Sequence, residues 1–251
     1  MRRFGPGRPI FTLVAVSVVT LAALLAHNNV SVTLSADDEK SIPALLTLAG
    51  KQHLTKDVAV GRPFAEQVKI VSEVQAAILE VAPQTDPIDF NRGREPRDLL
   101  ELRQGLCYDR SRAIEKVLTY VGLQTRHVSV YSLQKTKSAL EALVTTRTPS
   151  HALTEVRTEK GWMAVDPDMP WIGLTDAMDA ISIKELKKAI GKKKYAWNQL
   201  AKSEPNDILD TAFVYVPGLY SRHGRFYPPY NAIPDVNYPQ LASGMVDLIQ
   251  D

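Results

Sequence analysis

The sequence predicts an α+β fold in which a cysteine-bearing helix packs on an antiparallel sheet, with a hydrophobic helix before it. Three observations support this prediction. An uncharged apolar stretch lies near the N-terminus, a helical pattern of apolar residues follows Cys107, and two strand-like segments joined by a tight turn cover residues 151–166. Helical patterns followed by a hairpin indicate helices packed on one antiparallel sheet rather than alternating parallel units.

The composition is that of a globular protein. The chain has 251 residues, of which 45% are hydrophobic and 23% charged, and it has a single cysteine. The formal net charge of +2 depends on Arg2, Arg3 and Arg8, which precede every acidic residue; without them 27 basic residues stand against 28 acidic ones. This near balance argues against a nucleic-acid partner.

The N-terminus indicates a membrane or exported location. Residues 1–9 form a basic leader, and residues 10–26 contain no charge. Such a stretch is either a signal segment or a transmembrane anchor at the lower limit of spanning length. Leu24 stands two residues before Ala26, where cleavage requires a small residue, so a retained anchor is favoured. The positive-inside rule then places the body on the periplasmic or extracellular side; secretion after signal cleavage is the alternative.

The rest of the chain divides into three predicted parts. Residues 27–61 are expected to form a stalk with weak local structure, and residues 62–210 one catalytic-sized domain that opens with a helix over residues 63–82. Residues 211–251 are expected to form a strand and then a Pro- and Tyr-rich extension that is neither regular helix nor sheet. This extension either wraps the domain or shapes a cleft.

Cys107 stands where a helix is predicted to begin. The spacing of a buried helical stripe is followed by Leu106, Ile114, Val117, Leu118 and Val121, and Gly122 ends the helix. A thiol on the first turn of a helix faces unpaired N–H groups and the positive end of the helix dipole, which stabilise a thiolate. The alternative is an inert buried cysteine.

A hairpin is predicted to bring His151 and Asp166 together. The segments 151–157 and 162–166 flank a turn, and if Glu159 and Lys160 form its loop, Asp166 lies opposite Leu153. His151 is then its diagonal neighbour on the same face, within reach of an imidazole–carboxylate contact. A three-residue loop ending at Gly161 would put the two side chains on opposite faces.

These residues resemble the transglutaminase-like superfamily, and within it a membrane-anchored member of bacterial type. The resemblance rests on GLCYDRS at 105–111, on His151, and on GWMAVDP at 161–167. It departs where Ala152 and Leu153 follow the histidine, a place where an aromatic residue is common. The resemblance implies a papain-like fold, Cys107 as nucleophile, His151 as base, and Asp166 as the group that orients His151.

The chemistry that such a triad performs is acyl transfer at an amide bond through a thioester. The Cys107 N–H with the Gln104 side chain is the candidate oxyanion site, and Trp162 is a candidate wall of the substrate groove. The alternatives are a solvated amide for Gln104 and burial within the hairpin for Trp162. Hydrolysis and transamidation both remain open.

Partners and the second function class follow from the remaining features. We expect a protein or peptide amide substrate or a cell-envelope polymer, and lysines at 184–194 offer a basic patch for anionic groups. No spacing typical of a metal or nucleotide site occurs, so no cofactor is implied. The alternative to an enzyme is a non-catalytic envelope binding or assembly module on the same fold, although a scaffold alone would not need the three residues.

Overall fold

The computed structural model describes residues 7–192, 195–223 and 234–249, and the side chains of residues 16–192, 195–223 and 234–244. Helices and one four-stranded sheet make up the fold. In chain order the elements are α1 (Gly7–Asn28), α2 (Ala36–Leu48), α3 (Phe64–Val81), α4 (Pro96–Leu102), α5 (Cys107–Tyr120), β1 (Gln124–Ser132), α6 (Ala139–Val144), β2 (Ser150–Thr158), β3 (Gly161–Val165), α7 (Ile183–Ala189), a 3-10 helix (Asp207–Asp210), β4 (Phe213–Pro217) and α8 (Tyr238–Ile249).

The sheet has the order β3-β2-β1-β4, and every neighbouring pair is antiparallel. Strands β2 and β3 form the predicted hairpin, in which Thr158 pairs with Gly161 and Thr154 with Val165. Glu159 and Lys160 therefore form a two-residue loop, and the predicted register is confirmed. Gly161 has φ +112°, a value that favours glycine where the second strand begins.

Helix α5 packs against the sheet and carries the core between them. Four members of its predicted stripe are fully buried and Leu106 is half-buried; Val128 and Val130 of β1 and Leu153 of β2 are fully buried as well. Helix α3 also contacts α5, and residues 109–118 of α5 are all buried. This packing fixes the first turn of α5 relative to the start of β2 and the end of β3, where the candidate site lies.

The expectation of weak structure over residues 27–61 is wrong. Residues 36–48 form α2, which Ser35 caps by accepting from the Asp38 N–H at 3.1 Å. Its buried face is completed by an ion pair between Asp38 Oδ2 and Lys116 Nζ at 2.9 Å. Pro43 inside the helix hides the helical pattern, since proline in a helix interior removes a hydrogen bond, and here packing on α4 and α5 stabilises the helix instead.

The N-terminal stretch forms the helix α1. Its described apolar side chains are exposed, Val18 at 61% and Val19 at 68% among them. Within the residues described, the structure has no helix that combines the length and the apolar character needed to cross a membrane. The transmembrane anchor predicted over residues 10–26 is therefore not supported by the structure.

The C-terminal extension is more regular than expected. The strand predicted over residues 211–216 is present as β4, but residues 238–249 then form α8, so the exclusion of regular helix is wrong there. Pro239 occupies the first turn of α8, where its missing N–H costs no helical hydrogen bond. Residues 1–6 of the leader, Lys193 and Lys194 of the lysine patch, and residues 224–233 of the extension lie outside the described residues.

Candidate active site

Cys107 is the first residue of α5 and its thiol is free and partly exposed. The helix start is held in place by Asp109, whose Oδ2 accepts from the Leu106 N–H at 3.0 Å and the Ile88 N–H at 3.2 Å. Burial raises the pKa of Asp109, against the charge of Arg94, which lowers it. At the first helical position no preceding carbonyl of the helix accepts the Cys107 N–H, which is thus oriented outward for a ligand.

His151 is the second residue of β2 and is buried. Its Nε2 lies 3.0 Å from Oδ2 of Asp166, and a ring nitrogen lies within 4.8 Å of the Cys107 sulfur. Because a carboxylate can only accept, Nε2 carries the proton toward Asp166, and Nδ1 is the nitrogen that remains for other partners. The imidazole is thus hydrogen-bonded to the carboxylate and close to the thiol, so the structure brings together the three residues that the sequence placed together.

The environment favours charged forms of both His151 and Asp166. Burial lowers the pKa of His151, but the charge and hydrogen bond of Asp166, together with the nearby Cys107 side chain, outweigh it and raise the pKa well above 6.5. Burial raises the pKa of Asp166, but the charge and hydrogen bond of His151 and two backbone N–H groups bring it below 3.8. An imidazolium beside an ionised carboxylate is the result at neutral pH.

The loop after β3 fixes the orientation of Asp166. Its Oδ1 accepts from the N–H groups of Asp168 at 2.7 Å and Met169 at 3.0 Å. The Gln75 side chain of α3 donates to the carbonyls of Asp166 at 2.8 Å and Trp171 at 2.6 Å. The carboxylate therefore has one oxygen engaged by backbone and the other directed at His151.

Asp168 is a second carboxylate at the same site. Its Oδ2 lies 3.8 Å from Nδ1 of His151 and accepts from Gln84 Nε2 at 3.2 Å, while its Oδ1 pairs with Arg110. Cys107, His151 and Asp168 each place one atom that could bind a metal ion within 4.8 Å of the corresponding atoms of the other two residues. Gln84 of the α3–α4 loop and Arg110 of α5 were missed because nothing local in the sequence joins either segment to this turn.

The site opens into a cavity of about 540 Å³. Carboxylates, amides and hydroxyls dominate its wall, with a few apolar side chains. Besides Cys107, His151 and Asp168, the lining consists of Gln84, Leu106, Ser132, Gln134, Pro149, Ser150, Asn206, Asp207, Ile208 and Thr211. The cavity suits a polar chain that presents an amide group to the thiol.

Two predicted site residues lie elsewhere. Gln104 is partly buried outside this lining, and its Nε2 donates to the Pro87 carbonyl at 3.3 Å. Trp162 is near the turn of the hairpin, where Arg126 stacks on its ring at 4.4 Å. Neither position gives support to the predicted oxyanion or substrate-binding role, whereas Gln84 and Gln134 line the cavity.

Two other histidines, His127 and His223, have structural partners. His127 is buried, with Nδ1 at 3.1 Å from Ser111 Oγ and its ring stacked on Tyr220. His223 pairs with Asp235 at 3.1 Å. A second cavity, of about 810 Å³, lies beside α7 and is lined by Trp197 and Lys192 among others; the 3-10 helix separates it from the thiol.

The fold and the site together define a class: a helix-borne cysteine, a strand histidine and a carboxylate in the chain order Cys, His, Asp, on an antiparallel sheet. The family model of the transglutaminase-like superfamily matches residues 56–167, a segment that contains all three residues. No curated protein matches the chain.

Proposed function

We propose that this protein is a cysteine acyl-transfer enzyme that acts on amide bonds of a protein, peptide or cell-envelope polymer through a thioester intermediate. The observation that carries the proposal is the position of His151, whose Nε2 is hydrogen-bonded to Asp166 at 3.0 Å and whose ring lies within 4.8 Å of the Cys107 sulfur. This arrangement leaves Nδ1 for the thiol, as a proton-transfer pair requires.

The reaction begins from the ion pair. The raised pKa of His151 keeps the imidazole protonated beside the sulfur, so the thiolate attacks the carbonyl carbon of a bound amide. The imidazolium then gives its proton to the leaving amine, and the thioester remains on Cys107. Water resolves the thioester in a hydrolase and a primary amine resolves it in a transamidase, with neutral His151 accepting the proton of either.

Two donors are available for the oxyanion. The Cys107 N–H is at the positive end of α5, where the helix dipole favours negative charge. The Gln84 side chain lines the same cavity, and its amide lies next to Asp168. We assign to Gln84 the role that the sequence suggested for Gln104, because Gln84 is the nearer of the two to the thiol-bearing cavity.

Alkylation of the thiol tests the proposal without knowledge of the substrate. In the native protein, Cys107 should react with iodoacetamide at pH 6, where a free thiol with a pKa of about 8.5 is almost entirely protonated. Replacing His151→Ala should slow the reaction at pH 6 by about 10- to 100-fold, since the partner that holds the thiolate is lost. The alkylation rate is measured by mass spectrometry from about pH 5 to about pH 9, the range of ordinary thiol titrations. These measurements give the alkylation profile, which is the rate as a function of pH.

The matched control is His53→Ala, because His53 is an exposed histidine bound to Glu73 and should leave the profile unchanged. If His151→Ala leaves the alkylation profile unaltered, the proposal that the protein is an enzyme is overturned and a non-catalytic binding module is favoured.

We also propose that the body is exported and tethered at a membrane through the N-terminal stretch. Support comes from the arginine-bearing leader and the uncharged residues 10–26. Membrane fractionation with alkaline extraction, followed by protease treatment from the exported side, tests this location. A soluble product that begins after residue 26 would show signal cleavage instead, and an intact protein in the cytoplasmic fraction would contradict export.

A further inference from the structure

Three side chains of the types that bind zinc converge at the mouth of the cavity. Cys107, His151 and Asp168 each place a potential ligand atom within 4.8 Å of the other two. Thiolate, imidazole and carboxylate are the common zinc ligands, and three protein ligands with one open position are typical of accessible zinc sites. Cys107 and Asp168 are both partly exposed, so a hydrated cation can reach them from the cavity.

The surroundings of His151 already have the form that metal-binding histidines require. A ligating histidine donates its second ring N–H to a carboxylate or carbonyl, which fixes the tautomer and the ring plane. Asp166 accepts at Nε2 in this way, and it is itself held by the N–H groups of Asp168 and Met169. Once Nδ1 has released its proton, the ring offers the lone pair of Nδ1 toward Cys107 and Asp168.

Asp168 is likewise oriented for a ligand role. Its Oδ1 is engaged by Arg110, and its Oδ2 is the oxygen that lies 3.8 Å from Nδ1 of His151. Tetrahedral zinc with bonds of about 2.0–2.3 Å holds its ligand atoms about 3.3–3.7 Å apart. The present cluster thus requires a contraction of about 1 Å, which rotation of two partly exposed side chains can supply.

We propose that this site binds one zinc ion through Cys107 Sγ, His151 Nδ1 and Asp168 Oδ2, with water as the fourth ligand, and that zinc reversibly blocks the thiol. The thiolate and the Asp168 carboxylate balance the charge of the ion. Binding forms the three bonds and releases to solvent the single proton that Cys107 and His151 share. That zinc inhibits the enzyme rests on the proposed acyl-transfer function, whereas the binding of zinc does not depend on that function.

The test uses the full-length protein and zinc chloride in a competing chelator. We expect one zinc per chain, cobalt substitution with a thiolate-to-metal absorption band, and alkylation of Cys107 that zinc slows by at least about tenfold and EDTA restores. Asp168→Asn should weaken zinc affinity by at least about tenfold, because an amide is a much poorer zinc ligand than a carboxylate.

The control variant is Asp207→Asn, which removes an exposed carboxylate from the same cavity but not from the ligand set, and it should bind zinc like the native protein. Zinc affinity that neither Cys107→Ser nor Asp168→Asn changes would overturn the proposal. The two hypotheses fail separately: alkylation that depends on His151 but is not slowed by zinc removes the metal site alone. If zinc binds but His151→Ala does not change the alkylation profile of Cys107, only the proposed enzyme function is contradicted.

Discussion

Two histidines on neighbouring strands are both buried, but their pKa values are shifted in opposite directions. His151 on β2 contacts Asp166 and Cys107, and its pKa is raised well above 6.5. His127 on β1 contacts the Ser111 hydroxyl and the Tyr220 ring; burial and then the charge of Arg112 lower its pKa to about 3. Because burial acts on both rings alike, the partners decide which form each adopts.

The difference distinguishes a histidine of the candidate active site from a histidine of the packed core. His151 lines an open cavity, whereas Nε2 of His127 has no hydrogen-bond partner among the residues that the structure describes and is enclosed between α5 and the sheet. A neutral imidazole that cannot exchange protons near pH 7 is unsuited to acid–base work. His127 belongs instead to the packing that holds α5, with Ser111 also bonded to Thr154 at 3.0 Å.

The largest effect that sharpens this comparison comes from removing the carboxylate of His151. Asp166→Ala leaves a buried imidazole without its partner, so we expect a loss of about 3–5 kcal/mol in the free energy of unfolding, measured by urea denaturation at pH 7. Asp166→Asn keeps a hydrogen-bond acceptor and should lose less. Asp207→Ala, at an exposed carboxylate, is the control. A loss below about 1 kcal/mol for Asp166→Ala would show that the pair contributes little to stability.

The second prediction concerns the acid stability that His127 confers. In the unfolded chain this histidine binds a proton at about pH 6.5, whereas in the fold its pKa is about 3. Between these values the unfolded state holds the extra proton, so stability falls as pH falls. At pH 4.5 the loss attributable to His127 is about 2–3 kcal/mol.

His127→Gln should remove that part of the pH dependence, as measured by urea denaturation from pH 7 to pH 4.5. His53→Gln, at an exposed histidine, should not alter it. Equal slopes in the native protein and His127→Gln would contradict the depressed pKa. Asp166 titrates below 3.8 and its contribution is lost only at still lower pH, so it does not interfere in this window.

The sequence predicted the parts of this comparison that depend on local pattern. A two-residue loop at Glu159 and Lys160 sets the hairpin register, and the register brings His151 to Asp166. The start of α5 at Cys107 follows from the spacing of its apolar residues. These features depend on neighbours along the chain, where periodicity and turn chemistry are sufficient.

The rest depends on contacts between distant segments. Gln75 reaches the Asp166 loop from α3, Gln84 and Arg110 reach Asp168, and Lys116 pairs with Asp38 of a helix that the sequence did not predict. None of these pairings has a local signal, since any polar side chain on a helix surface is compatible with solvent until the fold places a partner beside it.

The smallest predicted effect tests whether the two histidines are independent. Ser111→Ala removes the hydroxyl that contacts His127 Nδ1 at 3.1 Å and Thr154 Oγ1 at 3.0 Å, and it leaves those buried polar atoms with fewer partners. We expect a loss of about 1–3 kcal/mol in the free energy of unfolding, because an unsatisfied buried polar group loses its hydration without compensation. The alkylation profile of Cys107 should be unchanged, because Ser111 is one turn further along α5 and contacts neither His151 nor Asp166 among its described hydrogen bonds. A shift of the profile toward higher pH, with the fold intact, would mean that the buried network around His127 orients the thiol through α5 and that the two regions act as one.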